Sequence, residues 1–183
     1  MTSLCVFCGS SLGSDPLFYQ AAQELGKLMA QSQIKLIYGG AKVGLMGTIA
    51  NAVLENGGQV TGVLPQFLRS KEVEHTGLTE LILCNSMHER KMKMFELSQG
   101  FIAMPGGFGT LEEIVEILTW RQLKLHHYPI GFLNINGFYD HLQMFFNEMT
   151  NKQLLKNEHR NMVIFANSAE ELLQKMQNES LHL

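Results

Sequence analysis

The chain has 183 residues, of which 45% are hydrophobic and 17% charged, a balance that predicts one sizeable core and excludes a disordered tail protein. Its net charge of −3 supplies no global positive field for a nucleic-acid backbone, so no nucleic-acid partner is expected. Because the charge disfavours nucleic acid, a small-molecule partner is expected instead. No apolar run approaches the roughly 18 residues that a membrane helix needs, so no membrane partner is expected.

Short apolar runs alternate with longer stretches of helical period from end to end, which is the pattern of an α/β protein. The predicted strands cover residues 4–9, 35–38, 60–64, 80–84, 100–104, 130–135 and 162–165. The predicted helices cover residues 16–31, 46–56, 88–98, 111–124, 138–150 and 169–177. We expect a single Rossmann-like, doubly wound domain over residues 1–183, with a mainly parallel sheet of about seven strands and helices on both faces.

The first predicted strand begins close to the amino terminus with no basic segment before it, so it is interpreted as a strand rather than a signal peptide, and a cytoplasmic location is expected. Cys5 and Cys8 spell C-x-x-C, a spacing found in redox and metal sites. Because three-residue spacing in a strand directs two side chains to opposite faces, small core residues are the favoured interpretation, with redox or metal chemistry as the alternative.

Glycine-rich turns follow the first, second and fifth predicted strands, at residues 9–13, 39–47 and 105–110. Ligands of doubly wound folds bind at the carboxyl ends of the strands, where glycine lets the backbone approach an anion and the next helix offers unpaired N–H groups. The alternative is that these glycines only permit tight turns. Three such turns on one edge, with Arg90 and Lys91 opening the helix between two of them, favour a phosphate site.

The phosphate site is not of a standard type. Neither G-x-G-x-x-G nor G-x-x-x-x-G-K-[ST] occurs, so neither an ordinary NAD site nor a P-loop is predicted. A nucleoside monophosphate stays open as the ligand.

Thr110 and Glu113 have the T-x-x-E spacing of a capping box, which is the favoured interpretation of this motif taken alone. Nevertheless Glu112, Glu113 and Glu116 lie together beside a glycine-rich turn. Carboxylates next to a phosphate site are suited to holding ribose hydroxyls or to stabilising positive charge on a sugar ring. The cluster therefore indicates glycosidic chemistry as well.

The predicted helix boundaries carry ordinary capping signals. Asp15 precedes a first-turn proline, and Ser168 precedes the last helix. His126 and His127 follow the helix predicted over 111–124 and are interpreted as C-terminal helix cations or surface groups.

Residues 105–113, with the sequence Pro-Gly-Gly-Phe-Gly-Thr-Leu-Glu-Glu, resemble the P-G-G-x-G-T-x-x-E signature of the LOG (Lonely Guy) phosphoribohydrolases. Residues 87–91, Met-His-Glu-Arg-Lys, resemble its companion motif, and the similarity extends over nearly the whole chain. The resemblance implies hydrolysis of the N-glycosidic bond of a cytokinin riboside 5′-monophosphate to free base and ribose 5-phosphate, with AMP as a related ligand or substrate. It also implies no metal or other cofactor, and a homodimer formed through helices near the active site, around residues 114–120.

Carried over by position, the resemblance implies that Arg90 and Glu113 are the catalytic pair. The residues implied to line the nucleotide site are Glu72, Met87, Lys91, Gly107, Phe108, Gly109, Thr110, Leu111, Glu112 and Thr119. Gly9, Ser10 and Gly40 are added as substrate-binding residues because they lie in the glycine-rich turns.

Two alternatives of different class stay open. The first is a non-catalytic binder or carrier of a nucleotide or phosphorylated cofactor on the same scaffold, which would need the glycine turns but not the pair of Arg90 and Glu113. The second is a lysine decarboxylase, a label that many members of the family carry. Decarboxylation of lysine requires an electron sink such as a pyridoxal phosphate Schiff base, and the sequence holds no motif for one, so this alternative ranks last.

Overall fold

The computed structural model describes residues 1–69 and 74–181, and within them seven strands pair into one sheet. The strands are β1 (Ser3–Phe7), β2 (Lys35–Tyr38), β3 (Val60–Pro65), β4 (Glu80–Cys84), β5 (Phe101–Ala103), β6 (Ile130–Leu133) and β7 (Val163–Ala166). Their order is β4-β3-β2-β1-β5-β6-β7, and all six pairings are parallel. The predicted doubly wound α/β class is confirmed.

Helices cover both faces of this sheet. They are α1 (Pro16–Gln31), α2 (Gly44–Glu55), α3 (Met87–Glu96), α4 (Phe108–Gln122), α5 (Asp140–Asn151), α6 (Asn157–Arg160) and α7 (Ala169–Ser180). One core lies between the sheet and α1, α2 and α7, and a second core lies between the sheet and α3, α4 and α5. None of the helices in the described ranges is long and apolar enough to cross a membrane.

The helix boundaries follow the predicted caps in two places. Asp15 caps α1 by accepting a hydrogen bond from the N–H of Leu17, and Ser168 caps α7 by accepting one from the N–H of Glu171. α6 was not predicted, because a helix of four residues is too short to show a hydrophobic period.

β1 and Cys8, the residue that follows it, are buried on both faces of the sheet. Leu4, Val6 and Cys8 lie in one core, whereas Cys5 and Phe7 lie in the other. Burial, and after it the nearby Glu113 carboxylate, raises the pKa of both cysteine thiols above the usual value. The thiols therefore stay protonated, and the interpretation of Cys5 and Cys8 as small core residues on opposite faces is confirmed.

The direction of winding reverses between β1 and β5. From β1 the chain adds β2, β3 and β4 on one side, then returns to add β5, β6 and β7 on the other. The turns that follow β1 and β5 meet at this switch point, where the N–H of Gly9 donates to the carbonyl of Pro105 at 3.0 Å. Ligands of open α/β sheets bind at such a crevice.

His126 corrects one expectation. Its side chain is buried rather than a surface cation. Its Nδ1 accepts a hydrogen bond from the N–H of Tyr128, so the proton lies on Nε2, which donates to the carbonyl of Ile117 at 3.0 Å. Burial is the main cause that lowers the pKa of His126 below its ordinary value. The chain folds back beneath the end of α4, so a neutral ring satisfies a backbone carbonyl there, whereas His127 is exposed as expected.

We expect acidification to weaken the fold through His126. Because the pKa of His126 is lowered in the folded state, the folded protein binds fewer protons than the unfolded chain once the pH falls below about 6.5. The free energy of unfolding should be maximal above this pH and fall below it. Urea unfolding between pH 5 and pH 7.5 measures the slope, which His126→Gln should reduce. The exposed neighbour provides the control, because His127→Gln should keep the wild-type slope. Equal slopes in both variants would contradict the assignment.

Candidate active site

The amino-terminal end of α4 offers backbone donors at the switch point. Gly107 is the N-cap residue, and among the described residues no side chain caps this helix. The N–H groups of Phe108, Gly109 and Thr110 therefore stand in the first turn, where a helix has no partners of its own. The capping-box interpretation is wrong, because the N-cap residue of α4 is Gly107, three residues before Thr110, and Thr110 lies inside the helix. Helix dipole and donors together make this end suited to an anion.

The glycines of this turn serve different purposes. A Cβ atom on Gly106 would overlap with the hydroxyl of the buried Thr110, so Gly106 is required by packing. A Cβ on Gly107 or Gly109 would meet no described atom within 4 Å, and neither residue has a positive φ. Neither packing nor backbone conformation therefore explains these two glycines. Their missing side chains leave the space beside the first-turn N–H groups open, which is what a ligand bound there would need.

The second glycine-rich turn favours the tight-turn alternative. Gly40 is buried with φ of +85°, a conformation that favours glycine. Gly44 has φ of +63° and packs directly against the backbone of Ser10. The start of α2 is covered by the first turn, because the N–H of Leu45 donates to the carbonyl of Gly9 at 3.1 Å. The structure thus gives the glycines of this turn a conformational and packing role.

A cleft at the switch point joins the first and third glycine-rich turns. Its volume is about 340 Å³, and it is lined by residues 9–13 and 105–107 together with Phe18, Leu45 and Phe138. This volume lies within the range of small-molecule sites. The structure therefore brings Gly9 and Ser10 close to Gly107, as the sequence predicts.

Arg90 is held by the ends of two strands. Its side chain is only 7% exposed. Its Nε donates to the carbonyl of Val63 at 3.1 Å, and its Nη2 donates to the carbonyl of Gly39 at 3.3 Å. These bonds use the side edge of the guanidinium and leave Nη1 near Sδ of Met87, at 3.9 Å, and near Glu113.

Arg90 and Glu113 face each other between α3 and α4. The distance from Nη1 of Arg90 to Oε1 of Glu113 is 3.9 Å, which is an ion pair rather than a direct hydrogen bond. Only 12% of the Glu113 side chain is exposed, so both charges are largely removed from water and interact more strongly than a surface pair. The structure thus brings together the two residues that the sequence singles out as catalytic, beside the uncapped end of α4.

Lys91 forms a bridge between the same two helices. Its Nζ lies 2.5 Å from Oε1 of Glu112 and 2.9 Å from Oε2 of Glu116. Burial acts to lower the pKa of Lys91, but the hydrogen bonds to these two carboxylates outweigh it and the pKa is raised. Lys91 therefore stays charged and fixes α3 against α4. Two carboxylates offset its charge, and the bridge joins the helix that carries Arg90 to the helix that carries Glu113.

The remaining predicted residues lie at different distances from this pair. Phe108 is 93% exposed and, with Leu111, lines an apolar cavity of about 320 Å³ that adjoins the switch-point cleft, since both are lined by Gly106 and Gly107. Thr119 donates to the carbonyl of Val115 and lines a third, apolar cavity. Nine residues of helix separate Thr119 from Thr110, or about 13 Å, so one chain does not bring them into one cluster. Glu72 lies outside the described residues.

The sequence does not predict two groups that contact Arg90. These groups are the main-chain carbonyls of Gly39 and Val63, which accept hydrogen bonds from Arg90. Every residue has such a carbonyl, so the residue type does not indicate which one binds a side chain. The only available signal was that Gly39 lies at the end of a predicted strand.

Two observations concern metal-binding side chains and Lys91 in the part of the chain that the structure describes. Across residues 1–69 and 74–181, no group of three or more His, Cys, Asp or Glu side chains is placed to hold a metal ion. A Schiff-base lysine must lose its proton, whereas the raised pKa of Lys91 keeps that lysine charged.

The chain is similar in sequence to one protein family and to phosphoribohydrolases of plants. Residues 46–176 match a family model described as "Possible lysine decarboxylase". The chain is 43% identical over 174 residues to the probable cytokinin riboside 5′-monophosphate phosphoribohydrolase LOGL1 of Oryza sativa subsp. japonica, a match that covers 95% of this chain and 78% of that protein. It is 41% identical over 174 residues to the cytokinin riboside 5′-monophosphate phosphoribohydrolase LOG5 of Arabidopsis thaliana, covering 95% and 76%.

Solved structures share the fold. The molybdenum cofactor binding protein of Rippkaea orientalis is similar with a TM-score of 0.70 and 22% identity, over 96% of this chain and 95% of that chain. The Moco carrier protein of Chlamydomonas reinhardtii has a TM-score of 0.74 and 19% identity, over 99% and 98%. At these identities the likeness shows the fold alone.

We expect Gly109→Ala to weaken anion binding without weakening the fold. The added methyl group would occupy the room over the α4 donors, whereas alanine is a better helix residue than glycine. Losing one hydrogen bond to a charged group costs about 1.5–3 kcal/mol, or about tenfold or more in affinity. Calorimetric titration with ribose 5-phosphate measures the affinity, and thermal unfolding measures stability.

Gly57→Ala is the matched control for this methyl group. Gly57 also has no described atom within 4 Å of an added Cβ, but its φ is +75°. This variant should lose stability and keep the affinity for ribose 5-phosphate. Wild-type affinity in Gly109→Ala would show that no anion occupies this end of α4.

Proposed function

We propose that this chain, because it belongs to the LOG family of cytokinin riboside 5′-monophosphate phosphoribohydrolases, hydrolyses the N-glycosidic bond of an AMP-like nucleoside 5′-monophosphate. The products are the free base and ribose 5-phosphate. The observation that carries the proposal is the pairing of Arg90 with Glu113 beside the uncapped end of α4. A phosphate site and a carboxylate on the same helix, about one turn and a half from its start, are the two parts that this reaction needs.

The phosphate is bound by main chain. The N–H groups of Phe108, Gly109 and Thr110 point out of the first turn of α4, and the dipole of the helix favours a negative charge there. Arg90 supplies little of this binding, because its side edge is taken by the carbonyls of Val63 and Gly39. A phosphate bound at α4 therefore leaves Nη1 of Arg90 for the sugar.

Glu113 acts on the sugar. When the bond from C1′ to the base breaks, positive charge develops on the ribose ring, and an ionised carboxylate next to it lowers the energy of that state. The same carboxylate can orient the water whose oxygen bonds to C1′. The proton that this water loses balances the one that the departing base gains. Nη1 of Arg90 lies 3.9 Å from Oε1 of Glu113, so the positive charge of the guanidinium offsets the negative charge of this carboxylate.

A carrier protein is the second candidate, because solved structures with this fold include one named a molybdenum cofactor binding protein and one named a Moco carrier protein. A carrier needs the α4 donors but has no use for a buried carboxylate that faces the sugar. Lysine decarboxylation, which the description of the family model names, has the least support. Lys91 is charged and paired with two carboxylates, so it is not available to form a Schiff base.

We also propose that the protein acts as a homodimer. Apolar side chains are exposed on α3 and α4 near the candidate site, among them Met92 at 46%, Phe108 at 93% and Val115 at 40%. A second copy packed on this surface would remove them from water. A contribution of Thr119 to the site also requires a second copy, since Thr119 is far from the α4 donors in its own chain. The cytoplasmic location stays a prediction.

We expect the pure protein to release free base from AMP or from an N6-prenylated AMP, measured by chromatography of the products. Glu113→Gln should lower kcat by about 10²–10³-fold, as loss of one group that stabilises transition-state charge does elsewhere. Its affinity for ribose 5-phosphate should change by less than about threefold, because the α4 donors are intact. Glu170→Gln, an exposed substitution of the same kind on α7, should keep the wild-type rate.

The same assay distinguishes the hydrolase from the carrier. Tight binding of both nucleotides by the wild-type protein with no release of base would favour the carrier. Full turnover by a folded Glu113→Gln variant would refute the role of Glu113.

Light scattering tests the dimer. We expect a species of about 41 kDa, twice the 20.6 kDa of the chain. Val115→Glu places a charge on the exposed apolar face of α4 and should shift the protein to 20.6 kDa. A wild-type protein that stays at 20.6 kDa at assay concentration would refute the dimer.

A further inference from the structure

Gly39 occupies a position where any side chain would displace the guanidinium of Arg90. It follows β2 directly and is buried. A Cβ atom built on it would overlap with Nη2 of Arg90, and would lie 3.4 Å from Cζ of Arg90 and 3.0 Å from Sδ of Met46. Its φ lies outside the left-handed region, so the backbone would accept alanine without strain. The requirement for glycine here is therefore a requirement for room, set by the guanidinium.

The register of the sheet places a second acceptor next to Gly39. Tyr38 of β2 pairs with Gly62 of β3, so the residues that follow them, Gly39 and Val63, lie side by side at the carboxyl ends of the two strands. Their carbonyls receive Nη2 and Nε of Arg90, the two atoms on the side edge of the guanidinium. Two parallel N–H donors on a planar group match two neighbouring carbonyls and fix the plane of the group as well as its position.

We propose that Gly39 is a positioning residue for the reaction, which acts by holding the guanidinium of Arg90 at the angle that presents Nη1 to Glu113 and the sugar. The assignment rests on the proposed function, since it takes Arg90 to act at the bond between sugar and base. The carbonyl of Gly39 accepts a hydrogen bond from Nη2 of Arg90, and the absence of a side chain on Gly39 leaves room for the guanidinium.

The effect of filling this space follows from the contacts around Arg90. Val63 and Gly39 lie on the sheet side of the guanidinium, and Met87 and Glu113 lie near Nη1. A methyl group on Gly39 would push Nη2 away from the sheet and turn Nη1 away from its present distance to Glu113. Displacement of a catalytic group by about 1 Å can reduce a rate by about 10²-fold.

The test is a double-mutant cycle with Gly39→Ala, Arg90→Lys and the combined variant, in which lysine has no atom at the position of Nη2. Gly39→Ala alone should lower kcat for AMP about tenfold or more, with KM changed by less than about threefold. In the Arg90→Lys background the same substitution should change kcat by less than about twofold. Because Arg90→Lys is expected to be slow by itself, the rates in that background are measured in single turnovers with enzyme in excess.

Gly131→Ala is the matched control. Gly131 is buried in β6, and a Cβ there would also be crowded, by Leu172 of α7, far from Arg90. This variant should lose stability in urea unfolding by the same amount in both backgrounds and keep kcat in each. It separates a general cost of a crowded methyl group from an effect that passes through Arg90.

The outcomes are distinct. A folded Gly39→Ala enzyme with kcat within twofold of wild type, or an equal loss of kcat in both backgrounds, would overturn the positioning role. Absence of base release by the wild-type protein would instead overturn the proposed function. In that case urea unfolding of the same four proteins decides the placement of Arg90, because Gly39→Ala should destabilise the wild-type background more than the Arg90→Lys background, and equal destabilisation would refute it.

Discussion

A guanidinium buried against the ends of two strands is the constraint around which the site is arranged. A buried charge is costly unless its donors find acceptors, and Arg90 finds them in the carbonyls of Gly39 and Val63. Those carbonyls belong to the sheet, so the position of Arg90 is as well defined as the register of β2 and β3. Glu113 approaches the same group from α4, and Lys91 ties α3 to α4 through two carboxylates. The opposed charges and the uncapped helix end are thus fixed relative to one another.

The sequence predicts much of this fold because local signals and hydrophobic period agree. The bounds of α1, β2 and β4 match their predicted limits. The cap Asp15, followed by a proline, marks α1, and a short run that is apolar after its charged first residue marks each of the two strands. α4 begins earlier than predicted because Gly107 and Gly109 lower the helical signal of a first turn that tertiary structure nevertheless makes helical. The buried His126 escaped prediction because its partner carbonyl lies nine positions back along the chain, and neighbouring residue types do not report such a contact.

The candidate site shows where prediction from sequence stops. Charged residues such as Arg90 and Glu113 are visible in a motif, because their chemistry is in their side chains. Glycines are not so readily interpreted, since one residue type serves three physical needs here. Gly40 permits a positive φ, Gly106 permits close packing, and Gly107 leaves backbone donors uncovered. Only the coordinates of neighbouring atoms separate these cases.

The division of labour between main chain and side chain has a consequence for how such a scaffold diverges. The donors at the start of α4 are peptide groups, which every residue except proline carries, so drift in most side chains leaves the anion subsite intact. In the proposed mechanism the bond-breaking apparatus is a single carboxylate, Glu113, with Arg90 as its counter-ion. Lineages built on this framework can therefore exchange hydrolysis for storage or transport through very few codon changes, without having to reinvent recognition of the phosphorylated end of the ligand.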